Sequence, residues 1–268
     1  MKSFFAKYKR IIALATAVLV LILICTTAGV STPRKSVDEI IDDIDTCSTP
    51  KGKILAHGID VSRYQGTIDF KKVKSDGYSF VIIRVGTSKG GKDIKFEENY
   101  KKARAAGLDI GCYYYTYATT ARQAKEEAFD VREYISGKTF TYPVFFDIEY
   151  EALESYDRID ENDAMINAFC KYIKRGGFYP GVYTSSSSYN NYIDKSTLGS
   201  RWDFWVASYR DNTHSYEGYN KSFSMWQYSS NGVVKGINAR VDLDVSYVDY
   251  PNLISEFNSE LENIPTKS

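Results

Sequence analysis

The segment Phe145-Phe146-Asp147-Ile148-Glu149 places two carboxylates at positions i and i+2 at the end of an apolar run. Alternate side chains of an extended strand share one face, so Asp147 and Glu149 stand together with Cα atoms about 7 Å apart. Two acids so placed do not both ionise freely. Repulsion and partial burial raise one pKa and leave the other group anionic, which supplies a proton donor and a charge stabiliser near neutral pH. Taken alone, the pattern suits equally well an Asp that caps the next loop and a Glu that faces solvent. Two more acids occupy strand-like segments: Asp60 in His57-Gly58-Ile59-Asp60-Val61-Ser62, and Asp242 in Arg240-Val241-Asp242-Leu243-Asp244. First and last strands are neighbours when a barrel closes. The four acids would then converge on one mouth, at the strand ends where barrel enzymes keep their catalytic groups. Glycosidic hydrolysis needs such carboxyl groups around the scissile oxygen.

The aromatic residues point the same way. There are 23 Tyr, 14 Phe and 3 Trp, with clusters at 113–117, 202–205 and 226–228. Sugar rings stack their C–H faces on such side chains, and Tyr hydroxyls and Gln amides bond the rims. Most of these residues must nevertheless be core. Other chemistries are disfavoured. Only two histidines exist, His57 and His214, too few for a three-histidine metal site or an HExxH helix. No DxDxDG loop is present for calcium, and no GxGxxG or GxxxxGK[ST] loop follows a strand. We therefore expect neither cofactor nor metal.

The elements that must position these residues follow from periodicity. Strands are predicted over 57–62, 80–85, 109–115, 143–149, 181–183, 204–207, 224–228 and 241–245, and helices over 69–75, 96–106, 121–135, 162–175 and 189–193. Alternation of strand and helix argues for parallel strands wrapped by helices, and glycines such as Gly107 and Gly176-Gly177 sit where helix caps are needed. After about residue 193 the connections are too poor in helical periodicity for full crossovers. The expectation is an irregular TIM-like β/α barrel of eight strands and five helices over 57–250, with a C-terminal tail over 251–268.

Upstream, Lys2, Lys7, Lys9 and Arg10 precede an apolar run over 11–28. Residues 1–30 read as a membrane anchor or signal segment, the anchor being favoured, and the basic flank places the rest of the chain outside. Residues 31–56 read as a linker. From Ser31 onward 30 basic residues face 34 acidic ones, which argues against a nucleic-acid partner. Cys112 and Cys170 read as buried thiols in a strand and a helix, with a bridge between them left open.

Several segments resemble, in order and spacing, the glycoside hydrolase family 25 muramidases: residues 57–66, Phe80-Val81-Ile82-Ile83-Arg84-Val85-Gly86, Gly111-Cys112-Tyr113, Asp147-Ile148-Glu149, Gly181-Val182-Tyr183-Thr184, Trp205-Val206-Ala207-Ser208-Tyr209, Met225-Trp226-Gln227-Tyr228 and Val241-Asp242-Leu243-Asp244. The match runs from about 57 to 247. The resemblance implies an irregular β/α barrel that cleaves the β-1,4 bond between N-acetylmuramic acid and N-acetylglucosamine in peptidoglycan. It implies Glu149 as general acid, Asp147 as its partner, and Asp60 and Asp242 as flanking acids. The expected glycan-binding residues are Gln65, Tyr113, Tyr115, Tyr183, Trp205, Trp226 and Gln227. Two departures stand out: Gly111-Cys112-Tyr113-Tyr114-Tyr115 where the family often has Gly-x-Tyr-His-Phe, and Asp244 where Val-Asp-x-Asn is common, which adds a negative charge near the site. The expected protein is a monomeric peptidoglycan hydrolase, secreted or held at the cell surface. The alternative is a catalytically silent wall-binding domain, which would have no need of mutually repelling carboxylates.

Overall fold

The computed structural model describes residues 35–50, 52–149, 152–153, 158–209 and 223–264. Nine strands form one sheet: β1 (Ala56–Val61), β2 (Phe80–Thr87), β3 (Gly91–Lys92), β4 (Asp109–Tyr115), β5 (Val144–Asp147), β6 (Pro180–Ser185), β7 (Asp203–Ala207), β8 (Met225–Gly232) and β9 (Val241–Ser246). Because β1 pairs with both β2 and β9, the sheet closes as the ring β1-β2-β4-β5-β6-β7-β8-β9. Strand β3 folds back antiparallel on the end of β2. Helices among the described residues are α1 (Val37–Asp43), α2 (Phe70–Ser75), α3 (Phe96–Ala106), α4 (Ala121–Tyr134), α5 (Ile159–Arg175), α6 (Ser186–Asn191), α7 (Lys195–Leu198) and α8 (Tyr250–Glu262). The expected irregular β/α barrel is therefore present, with more helices than its sequence announced.

Period-2 alternation divides every strand between two layers. Val81, Ile83 and Val85 of β2 point outward into the layer shared with the helices, as do Cys112 and Tyr114 of β4 and Val144 and Phe146 of β5. Phe80, Ile82, Phe145, Trp205 and Met225 point inward and fill the lower lumen. Large inward rings fit because their neighbours are glycine. A Cβ on Gly58 would lie 2.3 Å from the Phe80 ring, and one on Gly181 would lie 2.6 Å from Phe145. The last helix, whose residues were expected to form a tail, plugs this end of the barrel with Tyr250, Ile254 and Phe257.

The strands are not all parallel. β9 runs antiparallel to both β8 and β1, and an antiparallel neighbour needs only a short connection, which explains the missing helical periodicity before it. Its direction also decides where Asp242 falls. The start of β9 lies beside the end of β1, and Asp242 sits directly opposite Asp60.

The segment expected as a linker contains α1 and is docked. Buried Lys174 of α5 donates to the carbonyl oxygens of Asp42 and Ile44, satisfying the open end of α1, and Arg175 pairs with Asp42 at 2.5 Å. Further along, Ser48 donates its N–H (2.7 Å) and Oγ (2.8 Å) to buried Asp203, which also accepts from Tyr179 at 3.2 Å and Tyr250 at 3.0 Å. One carboxylate thus ties the N-terminal segment and the plug helix to β7. Cys112 and Cys170 are free and buried, and Cys47 is free. The apolar run over 11–28 lies outside the described residues. Among those described, no helix is long and apolar enough to cross a membrane.

Candidate active site

Above the aromatic floor the lumen turns polar. Asp147 is the last residue of β5, and Glu149 follows two residues later, past the strand's end, near enough for its charge to act on the Asp147 carboxyl. The Asp147 carboxyl is 4% exposed, and its Oδ1 has no hydrogen-bond partner among the described residues. Burial above all, then the nearby Glu149 charge, hold it well above the usual carboxylate range, and Arg84 pulls the other way. Glu149, half-buried, stands nearer solvent.

Asp60, on β1, is buried and accepts a 2.7 Å hydrogen bond from Gln227 Nε2. Burial and then the charges of Asp242 and Asp244 push its pKa well up. Burial likewise raises Asp242 to about 6. Asp244, expected from the sequence as an added negative charge near the site, lies among these acids. It is fully buried, accepts from Trp205 Nε1 at 2.9 Å, and meets the Asp60 carboxyl, an approach that a shared proton makes favourable. Two residues after Asp242, it had to face the same way. Among the described residues no group of His, Cys, Asp or Glu side chains is arranged to hold a metal ion.

The expected glycan-binding residues divide into three sets. Tyr113 and Tyr115 line the mouth, half-buried, with Tyr115 opposite Asp147 in the β4–β5 ladder. Tyr183, Trp205 and Gln227 lie beneath the acids and orient them. Tyr183 donates to Gln227 Oε1 at 2.9 Å and Tyr209 at 2.5 Å, so the Gln227 N–H is left to face Asp60. Trp205 is 1% exposed, with Tyr183 4.4 Å away between ring centroids, and it serves as floor rather than platform. The third set lies elsewhere. Trp226 alternates with Met225 and Gln227, so it packs in the outer layer and donates to the Ser208 carbonyl at 3.0 Å. Gln65 closes a capping box with Ser62 and donates to the Arg240 carbonyl, which commits its amide to the chain. Two exposed aromatics near the site were not among the expected residues: Tyr209, 54% exposed, and Tyr64, 67% exposed, whose ring lies 4.9 Å from the Arg84 guanidinium. Both fall in segments that carry the resemblance, 57–66 and 205–209.

Crowded acids have a cost in stability. Asp60, Asp147, Asp242 and Asp244 all bind protons more tightly in the fold than in the unfolded chain, so stability falls as pH rises from about 4 through their folded values. For Asp242, titrating at about 6, the effect is roughly 3 kcal/mol at most and about 1–2 kcal/mol after discounting for its partial exposure. Asp242→Asn is expected to melt about 2–8 °C above the parent at pH 7.5 and together with it near pH 4. An equal or lower Tm at pH 7.5, or a difference independent of pH, would contradict this coupling.

Comparison with known proteins gives the family. The family model for glycosyl hydrolases family 25 covers residues 59–237. An autolytic lysozyme of Clostridium acetobutylicum is 29% identical over 187 residues, covering 70% of this chain and 54% of that protein. A crystal structure of a bacterial lysozyme from Streptomyces coelicolor superposes with a TM-score of 0.63 at 26% identity, covering 76% of this chain and 98% of the other. The modular autolysin LytC of Streptococcus pneumoniae, in complex with a synthetic peptidoglycan ligand, gives 0.61 at 29% identity, over 71% of this chain and 46% of that one. The chain spans about half the length of the autolytic lysozyme and of LytC. With the family model matching well over half its residues, the chain belongs to glycosyl hydrolases family 25.

Proposed function

We propose that this protein is an N-acetylmuramidase that hydrolyses the β-1,4 bond between N-acetylmuramic acid and N-acetylglucosamine in peptidoglycan. The observation that carries the reading is the pair at the end of β5: a buried Asp147 with an unpartnered oxygen, beside a Glu149 nearer solvent. The pair holds one proton between its two members near neutral pH, because both cannot ionise side by side. Burial, and then the Glu149 charge, favour the protonated form of Asp147. A substrate acetamido N–H donated to the open Asp147 Oδ1 would favour its anion and move the proton to Glu149, ready for the glycosidic oxygen. Asp60, Asp242 and Asp244 share protons among themselves, and the negative charge that remains on the cluster helps to stabilise positive charge developing at the anomeric carbon. Tyr113 and Tyr115 supply the walls against which a sugar stacks.

The mouth acids weigh against a silent binding domain, since a binder gains nothing from carboxyls that repel one another. Incubating purified wall with the full chain is expected to release soluble fragments bearing new N-acetylmuramic acid reducing ends. Tight binding without release would favour the silent reading, and new N-acetylglucosamine reducing ends would place the cut on the wrong bond. Lys2, Lys7, Lys9 and Arg10 ahead of the apolar run support a role outside the membrane, tethered or secreted.

A further inference from the structure

A second concavity opens beside the acids. It has a volume of about 380 Å³ and is walled by the β2–β3 hairpin, Tyr64, Arg84, Tyr115 and Tyr117, within the range of small-molecule sites. It adjoins the catalytic mouth, because Arg84 and Tyr115 belong to both and Tyr115 pairs with Asp147 across the ladder. Its charge is opposite in sign. Arg63, Arg84, Lys89 and Lys92 line it against the single acid Asp93. Asp93 is already engaged, bonded to Arg84 at 2.7 Å and accepting from the Arg63 N–H. Lys92 is turned outward to Glu97 at 2.5 Å. That leaves two cations, Arg63 and Lys89, which form no ion pair with a described carboxylate. Both are held in place: Lys89 Nζ lies 3.6 Å from the Tyr117 ring centre, and Arg63 donates to Tyr64 Oη at 3.2 Å.

The wall behind them is fixed. Ser88 Oγ of the hairpin accepts from the Tyr117 N–H at 3.0 Å, Thr87 Oγ1 accepts from the Gly90 N–H at 2.8 Å, and Gly86 packs so closely on the Gly91 carbonyl that no Cβ would fit, at 2.3 Å.

We propose that this cavity is a subsite for a carboxylate carried on the peptide stem of the glycan strand, bound by Lys89 and Arg63 with the stem backbone against Tyr64 and Tyr117. The assignment rests on the peptidoglycan reading and deepens it. Peptidoglycan alternates neutral sugars with anionic stems, and a mouth of acids flanked by a cationic cavity sorts the two. The acids repel the stem carboxylates, the cavity attracts them, and the strand is drawn into one register.

The test compares three soluble strands of equal length from wall stripped of phosphate polymers: stems with free carboxylates, the same stems amidated, and peptide-free glycan. Dissociation constants are measured by calorimetry on full-length Glu149→Gln, with and without Lys89→Ala and Arg63→Ala, and kcat/KM is measured with an intact Glu149. Removing both cations is expected to weaken the carboxylate-bearing strand about tenfold at low salt, less at high salt, with less than about a twofold change for the other two. Lys89→Arg should retain most of the preference. Equal weakening on all three strands would make this a neutral sugar subsite, and no weakening would remove it; either overturns the proposal. If the parent cleaves none of the strands, the muramidase reading fails, while the binding comparison still decides the subsite.

Discussion

Replacing Glu149 by Gln is expected to leave the barrel folded and the glycan bound while lowering turnover of wall by at least about a hundredfold. Protonating a poor leaving group in the transition state is worth roughly 10²- to 10⁴-fold, and a glycan hydroxyl is such a leaving group. The amide keeps the size of Glu149 and lacks the proton. Folding should be indifferent, because Glu149 lies after β5 at the open end of the lumen and the barrel beneath is held by aromatic packing. Release of wall fragments by purified protein, followed against a Tm measurement, checks both halves. Full activity of the variant would remove Glu149 from the chemistry.

Asp147→Asn is expected to cost about 10²- to 10³-fold in kcat, the range found when one group aimed at transition-state charge is lost. The reason differs from that for Glu149. Asp147 is buried, its Oδ1 makes no hydrogen bond among the described residues, and only an incoming donor satisfies it. Asn supplies no anion at that place. It also ends the sharing of a proton with Glu149, so the pH–rate profile should lose the limb that this pair sets, the surviving Glu149 titrating lower without a neighbouring carboxylate. Parent-like rate and profile together would reduce Asp147 to a turn residue.

Much of this site was legible in the sequence, and the reason lies in strand periodicity. Asp147 and Glu149 at i, i+2 after Phe145-Phe146 had to share a face, and the register of β1 with β9 sets Asp60 against Asp242 as barrel closure requires. The same rule applied one step further gives Trp226 as an outward residue. Its aromatic character was weighed above alternation. The antiparallel direction of β9 left only a weak trace, since six residues read the same in either direction. The packing of 37–48 left less. Its anchors are single residues, Lys174, Ser48 and Asp203, drawn together from distant parts of the chain, and a short polar helix has no periodicity long enough to distinguish it from a spacer. The plug helix α8 was half legible: Tyr250, Ile254 and Phe257 have helical spacing, but nothing in it says that they enter a barrel.

In the proposed mechanism Glu149 gives a proton to the leaving oxygen, beside an Asp147 that serves the sugar itself. Turnover of an aryl glycoside with an acidic phenol as leaving group isolates that step, since such a phenolate departs without a proton. Glu149→Gln, at least a hundredfold slower on wall, is expected to fall less than about tenfold behind the parent in the cleavage step with the aryl substrate, and Asp147→Asn to be severely slowed on both. An equal loss for Glu149→Gln on the two substrates would rule out proton donation by Glu149.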